Sequence, residues 1–211
     1  MANRTLHSIR DLAIGHGDRT LCSGISFDIC EGDCIMLCGA NGSGKTTLMN
    51  TLTRISEDIC MIPTRIPKVK GFTTEEFIRL GCNGKDITQA AESLGLERLL
   101  HQDISTLSDG EFQKACIAIA LAKKALIILL DEPTAFLDAE NRRAVLHCLK
   151  RLCNMESPVP AVIFSTHELH EAQAVCNKVI ALGADGIFRC TGDNIKAAVG
   201  TIFSSSKMDW I

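Results

Sequence analysis

Over roughly its first 35 residues the chain alternates apolar and polar positions with the period of two expected of strands. Residues 25–30 and 34–39 stand out as short apolar runs. They are bounded by Gly24, by Glu31-Gly32-Asp33 and by a glycine-rich turn, and they predict two strands. Residues 44–54 then read as a helix, and 59–62 as a brief strand that stops at Pro63. From 68 to 124 the pattern changes. Helical periodicity recurs at 73–80, 88–94 and 109–122 with no strand between, which predicts a helical subdomain. Beyond it the elements alternate in type. Residues 126–131 predict a buried strand, and 139–153 an amphipathic helix with Val145, Leu146, Leu149 and Leu152 on one face. Residues 160–165 read as a strand, 168–175 as a helix, and 179–182 and 186–190 as short strands. This order predicts an α/β fold with a mostly parallel sheet covered by helices.

Composition narrows the class. The chain has 211 residues, 46% hydrophobic and 22% charged, enough for one or two domains whose core needs no covalent staples. Disordered, collagen-like and disulfide-scaffold classes are excluded. A net charge of −3 runs against a nucleic-acid partner, whose binders carry a basic face. No apolar run approaches the roughly 18 residues of a membrane span. Residues 1–17 lack an apolar signal core, so secretion is not expected. The 11 cysteines include no Cys-x-x-Cys pair. Cys30, Cys34 and Cys38 recur every fourth residue, which raises metal binding, but no His completes a zinc spacing. Among strand-like neighbours they read better as small buried hydrophobes in a reducing compartment.

Two segments carry candidate chemistry. Gly39-Ala40-Asn41-Gly42-Ser43-Gly44-Lys45-Thr46 fits Gly-x4-Gly-Lys-Ser/Thr, between a strand and a helix. Glycines let such a loop curl its backbone N–H groups toward phosphates, and the following helix adds its positive end. A Lys at position 45 neutralises phosphate oxygens, and the Thr46 hydroxyl is a candidate Mg²⁺ ligand. The second segment is an apolar strand ending in Asp131-Glu132. Ligands of open α/β sheets sit beyond the carboxyl ends of strands, where Asp131 can hold a metal and Glu132 can polarise a water. Taken alone, those two acids read equally well as a solvated strand end.

Four further segments follow in order. Leu107-Ser108-Asp109-Gly110-Glu111 resembles the signature sequence of ABC transporter nucleotide-binding subunits. Asp131-Glu132-Pro133-Thr134 resembles their Mg²⁺ and catalytic-glutamate segment, Phe136-Leu137-Asp138 their D-loop, and Ser165-Thr166-His167 their switch histidine. The resemblance covers about residues 9–192. It implies a P-loop NTPase (RecA-like) core with a mostly parallel sheet, a shortened antiparallel β part and an inserted helical subdomain. All of this would form one domain, 1–211, with residues 1–67 and 125–211 as core and 68–124 as helical part. It implies ATP and Mg²⁺ as ligands and a head-to-tail dimer. In that dimer Gly39, Ala40, Asn41, Gly42, Ser43, Gly44, Lys45, Thr46 and Thr47 of one copy hold ATP that Ser108 and Gly110 of the other complete. The implied catalytic residues are Lys45, Glu132 and His167, and the implied metal ligands Thr46 and Asp131. Read by itself, Ser108 caps the helix that follows, with Glu111 completing a capping box; the resemblance places Asp138 across the dimer interface, and capping of the helix from residue 139 is an equal reading.

The chain departs from the family pattern in several places. It has no Tyr, and His16 stands where an aromatic usually stacks on adenine. Thr64 follows Lys45 by only 19 positions and replaces a Gln, so it would reach Mg²⁺ through water. Asp109 stands where Gly is more usual, and Ile119 where Arg is frequent. Residues 71–81, 107–114, 130–138 and 164–168 are similar to importer ATPases for iron complexes, haem and cobalamin. The resemblance implies transmembrane permease subunits as partners, a second copy or a paralogous cassette, and a substrate-binding protein as a further candidate. It implies a peripheral position on the cytoplasmic face of the inner membrane, and no nucleic acid. Three alternatives stand beside it: a soluble ABC ATPase outside transport, a small-molecule kinase with the same loop, and a degenerate, non-hydrolysing cassette of a heterodimer.

Overall fold

The computed structural model describes residues 4–17, 19–155, 159–183 and 186–191. The expected domain's ends, 1–3 and 192–211, lie outside the described residues. The early alternation becomes two long strands, β1 (Thr5–His16) and β2 (Arg19–Cys30), paired antiparallel as a separate two-stranded sheet. β2 extends well before the expected run at 25–30, because it continues through Gly24, which takes a positive φ, and the ladder absorbs several register shifts. Ile9, Ile14, Ile25, Phe27 and Ile29 point into the core, and Arg10 and Asp28 pair on the other face.

A six-stranded sheet forms the centre. Its strands are β3 (Cys34–Gly39), β4 (Ile59–Ile62), β5 (Ile127–Leu130), β6 (Ala161–Ser165), β7 (Lys178–Gly183) and β8 (Gly186–Thr191), in the order β4-β5-β6-β3-β7-β8. All neighbours run parallel except β7 and β8. Only two residues join that last pair, too few for a parallel crossover. β3, β5 and β6 are buried along their whole length, which explains why they read as continuous apolar runs rather than alternating ones.

The strands still divide by parity. Met36, Ile128, Leu130, Val162 and Phe164 join one apolar cluster, and Ile35, Leu37, Ile127, Leu129 and Ile163 the other. The first cluster is covered by helices α2 (Thr74–Gly81), α3 (Thr88–Leu94), α4 (Asp109–Ala122) and α5 (Ala139–Leu152). The second is covered by α1 (Lys45–Leu52) and the β1–β2 ribbon. Val145, Leu146, Leu149 and Leu152 are buried, as the periodicity of α5 predicts. The helix expected at 168–175 contracts to α6 (Leu169–Ala172); it starts without a side-chain cap and dissolves into turns. Cys34 and Cys38 are buried in the first cluster and Cys30 is half-buried. Burial pushes the Cys38 thiol up to about 12, so it packs as a hydrophobe.

Ile128 is fully buried between β4 and β6. Ile128→Val deletes one methylene there and should lower stability by about 1 kcal/mol. The expected signature is a lower urea midpoint with an unchanged slope. An unmoved midpoint would mean that this face of the sheet is not tightly packed.

Candidate functional site

The site forms where β5, β6 and β3, adjacent in the sheet, end. After β3 the chain turns through residues 39–44 into α1. Gly39 has φ 153° and Gly44, at the α1 N-cap, φ 100°. A Cβ on Gly39 would stand 2.5 Å from the Leu182 carbonyl oxygen and 2.5 Å from Ser43 Oγ, so a side chain there would break the loop. Lys45 opens α1 with its side chain folded back into the loop. Nζ donates to Gly39 O at 2.8 Å and Ala40 O at 3.1 Å. Burial holds this ammonium below its ordinary pKa, while Glu132 and Asp131 pull it upward. Ser43 Oγ is buried in the same loop and has no hydrogen-bond partner among the described residues. A buried orphan hydroxyl beside a buried ammonium is a polarity suited to an anion.

The next residue of α1, Thr46, donates from Oγ1 to Asp131 Oδ2 at 2.7 Å. Asp131 follows β5, is 7% exposed, and accepts at Oδ1 from Ser165 Oγ at 2.7 Å. Ser165 Oγ in turn accepts from the Glu132 N–H at 2.8 Å. One buried hydroxyl at the end of β6 therefore fixes both acids. Glu132 has φ 48°, a left-handed conformation that turns its side chain away from that of Asp131. Its Oε1 meets His167 Nε2 at 2.7 Å, and both side chains remain partly exposed. Sequence reasoning places Asp131, Glu132 and His167 here. It misses the tie through Ser165, whose signal is a lone hydroxyl closing an otherwise apolar strand. Thr46 and Asp131 together offer hard oxygen donors side by side, the chemistry that Mg²⁺ selects.

The other expected residues sit around this centre. His16 ends β1 and lies 2.9 Å, Nε2 to Oγ1, from Thr47 on α1. Thr64 lies on the wall of a groove of about 550 Å³ that also takes in Arg65, Asp109, Phe112, Glu132 and Phe136. Glu132 therefore belongs both to the centre and to the groove. Among the described residues no hydrogen bond joins Ser108 or Gly110 to the loop of the same chain. Ser108 caps α4 instead: its Oγ accepts from Glu111 N at 3.3 Å, and Glu111 Oε2 accepts from Ser108 N at 2.9 Å. The Ser108 hydroxyl, which donates to Oε2 at 2.7 Å, and the Ser108 N–H together hold the Glu111 carboxyl below the usual range. Gly110 packs closely against α5: a Cβ there would stand 2.6 Å from Asn141 Oδ1 and displace that side chain. Asp138 caps α5 through Asn141 N at 2.8 Å. Ile119 packs over Gly81, which has no room for a Cβ beside it.

Comparison with known proteins gives the family. A sequence model described as ABC transporter matches residues 22–60 and 55–135. The two matches meet inside the short segment between Lys45 and Thr64. The chain is 33% identical to the aliphatic sulfonates import ATP-binding protein SsuB 2 of Pseudomonas savastanoi pv. phaseolicola, covering 84% of this chain and 70% of that one. It is 28% identical to the iron(3+)-hydroxamate import ATP-binding protein FhuC of Bacillus subtilis, over 83% of this chain and 78% of that one. Among solved structures it superposes on a metal-chelate type ABC transporter in an inward-facing conformation with a TM-score of 0.81, at 26% identity and over 96% and 90% of the two chains. With that profile spanning more than half its length and 33% identity to a relative over an alignment that covers most of both proteins, the chain belongs to the ABC transporter family as an ATP-binding, ATP-hydrolysing subunit.

Proposed function

We propose that two copies of this chain, or one copy and a paralogous cassette, close head to tail around ATP and power a permease on the cytoplasmic face of the inner membrane. The observation that carries the reading is the convergence of Lys45, Thr46, Asp131, Glu132 and His167 at the ends of three adjacent strands. Residues 39–47 cradle the phosphates, Lys45 neutralises their oxygens, and Ser43 Oγ gains the partner it lacks. Thr46 and Asp131 would hold Mg²⁺, with Thr64 contributing through water, and the ion would supply further charge neutralisation at the phosphates. Glu132 takes the proton of the attacking water. His167, hydrogen-bonded to Glu132, orients that carboxylate. His16 stacks on adenine from the end of β1, beside Thr47 of α1. Ser108 and Gly110 of the second copy close the site with the positive end of α4, a 14-residue helix. Residues 68–124 act as the helical subdomain that presents this surface.

The cargo we propose is an iron complex, haem or cobalamin, imported with the help of a substrate-binding protein. The likeness to the metal-chelate type transporter and to the hydroxamate relative supports it. A sulfonate cargo is the second reading, favoured by the 33% identity to the sulfonate relative. The dimer is tested by light scattering of the purified chain with MgATP, MgADP or no nucleotide. A mass that doubles with MgATP alone is the expected result. A chain that stays monomeric in all three, alone and with the permease and a paralogous cassette present, overturns the shared site.

A further inference from the structure

The first turn of α4 carries two carboxylates, Asp109 and Glu111. In the proposed dimer this turn faces a triphosphate, so each acid is an electrostatic obstacle unless it is neutralised. Glu111 is turned back into the capping box with Ser108, its Oε2 accepting from the Ser108 hydroxyl at 2.7 Å and from the Ser108 N–H. Asp109 lies outside the box, and its side chain is 64% exposed. Among the described residues its ionic partner is Lys68, whose Nζ lies 2.7 Å from Asp109 Oδ1.

Lys68 is held on three sides. Nζ also donates to Leu107 O at 2.7 Å, the carbonyl just before Ser108, and stands 5.4 Å from the centre of the Phe112 ring. The ammonium thus grips the backbone on one side of Ser108 and the side chain on the other. It comes from the stretch that carries Thr64, which lines the same groove as Asp109. An exposed ion pair of this kind adds little to folding stability, because water screens it. The same charges act more strongly on a phosphate once a closed interface excludes water.

Resting on the dimer reading, we propose that Lys68 is a positioning residue for nucleotide closure. It neutralises Asp109 and fixes the turn at 107–110, so that a signature turn bearing an aspartate still accepts an anionic phosphate from the partner. The requirement is for charge at that point, so the proposal is specific to the pair and not to the packing of the lysine stem.

The test measures MgATP-driven dimerisation in a Glu132→Gln background, where turnover is slow, and ATPase kinetics with Glu132 intact. Lys68→Met keeps the stem on Phe112 and removes the charge. It should raise the ATP concentration for half-dimerisation, and the KM, roughly tenfold, the equivalent of one charge-assisted hydrogen bond. The kcat at saturating ATP should change much less. Lys68→Arg should stay near the parent. The double variant Lys68→Met/Asp109→Gly should return to within about threefold of it, the coupling expected of a directly paired couple. Raising KCl from about 50 to about 500 mM should shrink the Lys68→Met defect. A Lys68→Met protein that matches the parent overturns the inference alone. So does a defect that Asp109→Gly leaves in place, since the lysine would then act on the fold. A parent that dimerises with MgATP neither with itself nor with a paralogous cassette overturns the dimer reading and this inference with it.

Discussion

Glu132→Gln should lower phosphate release by about two to four orders of magnitude, the range of a general base, while leaving ATP binding intact and holding the MgATP complex as a dimer. The substitution is nearly isosteric. Gln keeps an acceptor for His167 Nε2 at the position Oε1 now occupies, 2.7 Å away, and the left-handed backbone at φ 48° is no harder for Gln than for Glu. What disappears is the basic lone pair that receives the water proton. One negative charge beside the phosphates is lost as well, so affinity for ATP should rise slightly. Lys45 senses the same change, because Glu132 is the largest charge raising its pKa against burial. Phosphate release at saturating MgATP and light scattering read the two halves of the expectation. Turnover within threefold of wild type would reject Glu132 as the base. Lost turnover with no trapped dimer would separate the chemistry from closure.

The centre of this site was legible in the sequence because each part is local. Residues 39–46 carry their own strand, loop and helix, and Asp131-Glu132 end an apolar run, so position along the chain is enough to place them. The buried, continuous character of β3, β5 and β6 likewise announces a parallel sheet. What was not legible depends on pairs far apart in sequence. Ser165 reaches Asp131 and Glu132 across 34 and 33 positions, and Lys68 reaches Asp109 across 41. No periodicity encodes such contacts. The extent of β1 and β2 was obscured for another reason: Gly24 and the register shifts break the alternation that a flat strand would show. The helix at 168–175 had apolar spacing without a cap, and spacing alone did not sustain it.

Lys45→Ala should raise the Kd for MgATP about 100-fold, near the upper end for a charge-assisted hydrogen bond to an anion. In the structure Nζ is occupied by two loop carbonyls, Gly39 O and Ala40 O, at 2.8 and 3.1 Å. These hold a cation in place without neutralising it, and burial already disfavours its charge. A phosphate supplies the counter-charge that the carbonyls cannot, which is why the residue should matter far more to binding than to folding. The glycines, Ser43 and the N-terminus of α1 remain in the variant, so weak binding should persist. Thermal unfolding separates the two effects. With ligand at 100 times the wild-type Kd, nucleotide stabilises the parent by about 2.7 kcal/mol and the variant by only about 0.4 kcal/mol. Without nucleotide the two melting temperatures should lie close together, since the variant also sheds a buried charge. An undiminished MgATP shift in Lys45→Ala would remove residues 39–46 as the phosphate cradle. A low melting temperature in both states would show instead that the lysine holds the loop.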